Sequence, residues 1–266
     1  MKYDFIFVVV CYINSNDLEN FLKSLNKIKN KYKVIVINNY YNEKTKTKIE
    51  DVSLSYGCAF FNSRNKGYGT GNNIGIKYAL KNYLFDYLII CNPDTEILFL
   101  DKKMLEGMET YIIAPEIRNL RKKRQNPHTA IYLNFIEKLE YFGFTINIKF
   151  LYLGIILNKI VRFLYVSLNF YKMFYPIFAP HGSFIIFSKK SLEILKDVFD
   201  EKMFLYCEES EIGRRAKKNK IPIIYNKKIK IFHKEDGSVS LIEKKTIDKY
   251  IKESYIYYYL KWNTKG

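Results

Sequence analysis

Cysteine is scarce in this chain and unpaired. Cys11, Cys58, Cys91 and Cys207 include no C-x-x-C spacing. They are far apart, and three of them sit in or beside apolar runs, so they read as buried free thiols of a reducing compartment. The histidines His128, His181 and His233 show no H-x-x-x-H spacing, which with the unpaired cysteines argues against a structural zinc site. With 12 glycines and 6 prolines in 266 residues, long linkers and low-complexity tails are excluded too. Met1–Val10 lacks the charged start, apolar core and small-residue cleavage site of a secretion signal and reads as a core strand. No charge-free apolar run approaches the ~20 residues that span a bilayer; Phe150–Asn158 is typical. Finally, Tyr141 to Leu192 contains no acidic residue.

What is present is a large apolar fraction, 48%, enough for an extensive core, and a net charge of +17. Such a charge fits nucleic acid, a phosphorylated substrate or an anionic membrane surface, and equally a composition skewed toward Lys, Asn, Ile and Tyr. The acid-free middle is aromatic and apolar, with Lys149, Lys159, Arg162 and Lys172 spaced through it. It suits either a helical layer over the core or an amphipathic segment at a membrane.

The first hundred residues alternate strand and helix signals. Phe5–Val10, Val34–Ile37, Cys58–Phe61 and Tyr87–Cys91 are short β-branched and aromatic runs. Helical patterns separate them: Leu18, Phe21, Leu22, Leu25 and Ile28 recur at helical spacing, then Lys44–Ser55, then Asn73–Leu84. Short connections between such units predict a mostly parallel sheet with helices on its faces, and ligands outside the carboxyl ends of its strands. Later, Ser183–Ser188, Ile221–Tyr225 and Ile229–His233 read as strands, and Lys190–Asp197 and Tyr250–Trp262 as helices.

Four constellations stand out. Asn92-Pro93-Asp94 ends a buried strand; a carboxylate there suits a hard cation held against phosphates, although the tripeptide is also ordinary turn chemistry. The stretch from Asn65 through Gly67, Gly69, Gly71, Asn72 and Asn73 brings backbone close to a ligand ahead of a helix start, which favours anions, but it is neither a G-x-G-x-x-G fingerprint nor a P-loop. Glu208 and Glu209, with Glu211, suit the helix dipole or a general base. His233 ends a strand and suits a metal ligand or a structural role.

In order, these segments resemble family 2 glycosyltransferases of the GT-A fold, especially those building bacterial O-antigens, capsules and rhamnose polysaccharides. The similar stretches are VVVCYINSNDLENFLKSL, VIVINNYYNEKT, NSRNKGYGTGNNIGIKYAL, YLIICNPDTEI, HGSFIIFSKKSLEIL, FDEKMFLYCEESEIGRRAKKNKIPIIYN and IFHKEDGSVS. The resemblance implies one GT-A-like (Rossmann-like) α/β domain over 1–266: a nucleotide-sugar half at 1–100, a helical, membrane-proximal segment at 101–180, and an acceptor half at 181–266. It implies that Tyr12, Asn38 and Asn39 line the nucleobase and ribose site, and that Asn65, Gly67, Asn72 and Asn73, with Asn92 and Asp94, sit against the rest of the donor. Asp94 and His233 would hold Mg²⁺ or Mn²⁺, Glu209 would be the base with Glu208 before it, and His181-Gly182-Ser183 would lie near the transferred sugar and acceptor.

Three positions depart from the family pattern. Asn38 and Asn92 replace aspartates, the second weakening the metal cage by one charge, and Glu209 lengthens the base by one methylene. The expected activity is inverting transfer from a UDP- or dTDP-sugar to a lipid-linked saccharide, in the cytoplasm, on the inner face of the cell membrane. Nucleic-acid binding is the rival from another class, but the aromatics lie in apolar runs and no binding signature accompanies them. An inactive, membrane-bound scaffold is the other.

Overall fold

The computed structural model describes residues 1–235 and 243–264. The first half is β1 (Lys2–Cys11), α1 (Ser15–Ser24), β2 (Tyr32–Tyr40), α2 (Glu43–Ser55), β3 (Ala59–Arg64), α3 (Tyr68–Asn82) and β4 (Leu84–Cys91). After it come β5 (Thr95–Phe99), β6 (Ile112–Asn119), α4 (Asn134–Thr145), α5 (Ile148–Leu168), β7 (Phe174–Pro176) and β8 (Phe184–Ser188). The chain ends with α6 (Lys189–Leu195), α7 (Glu208–Lys218), β9 (Ile223–His233) and α8 (Lys244–Asn263).

All described strands join one sheet in the order β3-β2-β1-β4-β8-β6-β9-β5, with β7 also on β9. The pairings among β3, β2, β1 and β4 are parallel, as strand–helix alternation requires. That alternation stops at residue 91. Beyond it only β6–β9 is parallel, and β8, β5 and β7 join antiparallel, so the sheet is mixed rather than mostly parallel. The two short runs expected at 221–225 and 229–233 form one strand, β9.

The run in β1 is apolar throughout because both of its faces are covered. Phe5, Phe7 and Val9 pack with Leu18, Phe21 and Leu22 of α1, while Ile6, Val8 and Val10 pack with Ile76 and Ala79 of α3. The glycines expected to form a loop lie largely inside α3, which begins at Tyr68. Their role there is close approach: a Cβ at Gly75 would stand 2.3 Å from a Val8 methyl, so only glycine lets α3 settle on β1.

The segment 101–180 is not wholly helical, since it contributes β6 to the middle of the sheet and β7 to its edge. Its helices form the hairpin α4–α5. A Cβ at Gly143 would meet that of Leu151 at 2.3 Å, so the two helices touch where the side chain is missing. α5 has 21 residues and, despite Lys149, Lys159 and Arg162, is long and apolar enough to cross a membrane by length and composition; among its residues only Gly154 is buried. α8 closes the domain. Glu137 of α4 accepts from Arg214 of α7 and from the Tyr258 hydroxyl of α8, and the Arg214 guanidinium lies 4.1 Å from the centre of the Tyr132 ring.

Candidate active site

A cavity of about 790 Å³ opens at the carboxyl ends of the parallel strands. Tyr12 follows β1, Asn39 lies near the end of β2, Asn65, Gly67 and Tyr68 follow β3, and Asn92-Pro93-Asp94 follows β4. All line this cavity, as do Phe204, Leu205 and Tyr206 before α7, His233 and Glu235 at the end of β9, and Ile247 and Tyr250 of α8. The volume lies in the range of pockets that enclose a small-molecule ligand.

Asp94 and His233 lie 139 residues apart in numbering, yet the antiparallel β5–β9 pairing sets Thr95 opposite His233 and brings them together. His233 Nε2 stands 3.3 Å from Asp94 Oδ1, and both residues are buried. A relay orients the imidazole. Asn119 Nδ2 donates to Glu235 Oε2 at 2.6 Å, and Gln125 Nε2 donates to Glu235 Oε1 at 2.5 Å. A carboxylate can only accept, so the Gln125 amide NH₂ faces Glu235 and its carbonyl faces His233. His233 Nδ1–H therefore donates to Gln125 Oε1 at 2.8 Å, and Nε2 faces the Asp94 oxygen.

A proton on Nε2 or a cation can join these two facing atoms. The donor set fits a divalent cation, with an imidazole nitrogen, a carboxylate oxygen and further residues that hold the imidazole in place. Among the described residues no group of three or more His, Cys, Asp or Glu would hold a metal alone. Asp94 and His233 thus suit an ion that takes its remaining ligands from phosphates and water.

The second cluster forms where α7 begins. Tyr206 and Cys207 both have left-handed backbone, at φ 74° and 70°, an arrangement that costs of the order of 1 kcal/mol per residue. The turn sends Tyr206 to the cavity wall and starts α7 with Glu208 buried. Burial, then the neighbouring Glu209, raises the Glu208 carboxyl to about 8, and its Oε1 has no partner among the described residues. Glu209 Oε1 accepts from Gly182 N–H at 3.1 Å, and the Gly182 carbonyl accepts from the hydroxyl of Tyr68, a cavity residue, at 3.1 Å. Beside it, burial first and then the charges of His128, His233 and Arg162 push His181 well below the ordinary imidazole range. His181 Nδ1 accepts from Ser183 N–H, which leaves Nε2 to carry the ring proton. The His181 and His233 rings are 5.6 Å apart, and Ser183 O accepts from Asn92 N–H at 2.9 Å, so this cluster adjoins the Asp94–His233 pair.

Three expected donor contacts do not reach the cavity wall. Asn38 is buried, donating to Asn62 Oδ1 at 2.7 Å. Asn72 is buried and donates to Tyr68 O, one turn earlier in α3. Asn73 is used as a clamp: its amide donates to Phe199 O at 3.0 Å and Glu201 Oε1 at 3.1 Å and accepts from Phe199 N–H. Asn38 alternates with the crevice-lining Asn39 along β2, while Asn72 and Asn73 lie a turn beyond the crevice-lining Tyr68 in α3. Sequence reasoning passed over Gln125, Glu235, Tyr68, Phe204 and Tyr206. A lone glutamine in a basic loop carries no spacing signal, and the aromatics look like any core run. Asp236–Ser240, the end of the last similar stretch, lie outside the described residues.

A family model described as Glycosyl transferase family 2 matches residues 6–195. The chain belongs to that family. The match runs from β1 through α6, over the strand ends that carry Tyr12, Asn39, Gly67 and Asp94. The fold is GT-A. It is similar to a crystal structure of GalNAc-T7 with UDP, GalNAc and Mn²⁺, at a TM-score of 0.59 and 14% identity, covering 89% of this chain and 44% of that one. It is also similar to the structure of S. aureus TarS, at a TM-score of 0.55 and 12% identity, covering 99% and 45%. The chain thus spans less than half the length of either. No curated protein matches the chain.

Proposed function

We propose that this family 2 glycosyltransferase moves a sugar, with inversion, from a UDP- or dTDP-sugar to a hydroxyl of a saccharide acceptor in bacterial surface polysaccharide synthesis. The acceptor is lipid-linked and is met at the cytoplasmic, anionic face of the membrane. One observation carries this reading: a single crevice holds the Asp94–His233 pair and the Gly67 turn, and Glu209, which does not line it, adjoins it through Gly182 and the Tyr68 hydroxyl. The GalNAc-T7 structure, which holds UDP and Mn²⁺, supports a nucleotide donor and a divalent ion.

The residues divide the chemistry. Tyr12 and Asn39 frame the base and ribose. The Gly67 turn, held by Asn65 Oδ1 accepting from Gly67 N–H at 3.1 Å, leads into the α3 N-terminus, whose dipole favours the phosphates. Asp94 and His233 would hold Mg²⁺ or Mn²⁺, which neutralises charge gathering on the leaving diphosphate. Glu209 takes the acceptor's hydroxyl proton as that oxygen bonds to the anomeric carbon. On the opposite side, the carbon–phosphate oxygen bond breaks and its electron pair stays with the diphosphate. Glu208, buried and holding its proton near neutral pH, keeps a second charge out of the site.

Glu209→Gln tests the assignment. Transfer, followed as nucleoside diphosphate release, should fall about 10²-fold or more while donor affinity stays within about twofold. Equal loss of donor affinity would remove Glu209 from the role of base.

A further inference from the structure

The hairpin α4–α5 is built with its polarity reversed. Tyr152, Leu153, Ile156, Ile160, Phe163 and Leu164 share the outward face of α5, with Ile156 53% and Phe163 70% exposed. Polar groups of the same helix turn inward: Arg162 Nη2 donates to the carbonyls of Arg124 at 2.7 Å and Gln125 at 3.1 Å, and the Tyr165 hydroxyl donates to Pro176 O at 2.7 Å. A water-facing helix shows the opposite arrangement.

We propose that this face of α5 docks on an anionic lipid bilayer, lying in the plane of the headgroup–acyl boundary rather than crossing it. Two observations choose the occupant. The stretch 141–192 has no acidic residue, and Lys149 and Lys159 lie on the apolar face itself, where long side chains reach headgroups while their stems stay in the acyl region. The exposed loop of Arg121, Lys122 and Lys123 is tied to α5 by the Arg162–Arg124 bond and adds cations beside it. Crossing is excluded by connectivity rather than by the length of α5. α5 follows α4, which is tied to α7 and α8 through Glu137, and is followed by β7, which pairs with β9, so both of its ends belong to the same domain. The inference deepens the proposed membrane-borne acceptor and rests on that reading only for its biological purpose.

The test is flotation of the full chain with phosphatidylglycerol–phosphatidylcholine vesicles, against phosphatidylcholine alone, at low and high salt. The parent should float with the anionic vesicles and lose binding as salt rises. Ile156→Glu with Phe163→Glu should lower partitioning roughly tenfold per substitution. Arg121→Glu with Lys123→Glu should lower it roughly fivefold per substitution. Both pairs lie at exposed positions and should keep the parent's thermal midpoint and its affinity for UDP with Mn²⁺ without vesicles. Undiminished flotation of either pair would overturn the proposal, as would a parent that is dimeric in light scattering and becomes monomeric on Ile156→Glu, since a second copy would then cover the face. Vesicle binding by a parent that binds no nucleoside diphosphate would uphold the docking surface and count against sugar transfer.

Discussion

Replacing Glu208 by glutamine should make the protein more stable, by an amount that depends on pH. The ordinary carboxyl value is 4.5, and burial beside Glu209 raises it to about 8. Below pH 4.5 the side chain is protonated in both folded and unfolded chains, so the substitution changes little. Between 4.5 and 8 the unfolded chain has released a proton that the folded chain keeps, and stability falls by about 1.4 kcal/mol per pH unit. Above 8 both states are ionised and the penalty is complete, of the order of 5 kcal/mol at most, since the pair titrates jointly. Glutamine has almost the same shape and no charge. Urea unfolding at pH 4.5, 6, 7 and 8 should therefore give curves that coincide at the lowest pH and separate steadily, with the variant the more stable. A gap that is constant across pH would refute the argument, because it would show that Glu208 does not take up a proton on folding.

Other outcomes follow from the same geometry. Asp94→Ala or His233→Ala should abolish the Mn²⁺ dependence of UDP binding in calorimetry; unchanged dependence would place the ion elsewhere. Gln125→Leu, which frees the His233 tautomer, should weaken Mn²⁺–UDP binding roughly 10- to 100-fold with the thermal midpoint little changed. Gly67→Ala, at φ 104° and with its Cβ 2.2 Å from Phe204 O, should cost 1–2 kcal/mol or more in unfolding experiments and lower donor affinity together with it. Arg214→Ala leaves the buried Glu137 without its cation and should lose about 3–5 kcal/mol, with protease sensitivity rising first in α8.

The sequence revealed most of what lies along single strands and little of what arises between them. The apolar runs at Phe5–Val10 and Tyr87–Cys91 declare strands covered on both faces, and polar residues just beyond them declare the crevice. The antiparallel entry of β5 and β8 was not legible, because the register that brings Thr95 against His233 is set by two segments far apart in the chain. The same limit hid Gln125, whose only signal is its place between Glu235 and His233. It also made Asn73 look like a donor contact, since a clamp on Phe199 is visible only once that loop is folded back. The outward apolar face of α5 was half legible: the missing acids announced it, but the lysines within the run disguised its length.

The Asn73 clamp has a mechanical consequence. With Tyr68 N–H donating to Phe204 O at 3.0 Å, it fastens the residue 199–206 strap to the first turns of α3 at two points. The Gly67 turn and the carboxylates that follow the strap are thus coupled as one body. In the proposed reaction, an anion settling at Gly67 would thereby also set how far Glu209 stands from the acceptor hydroxyl.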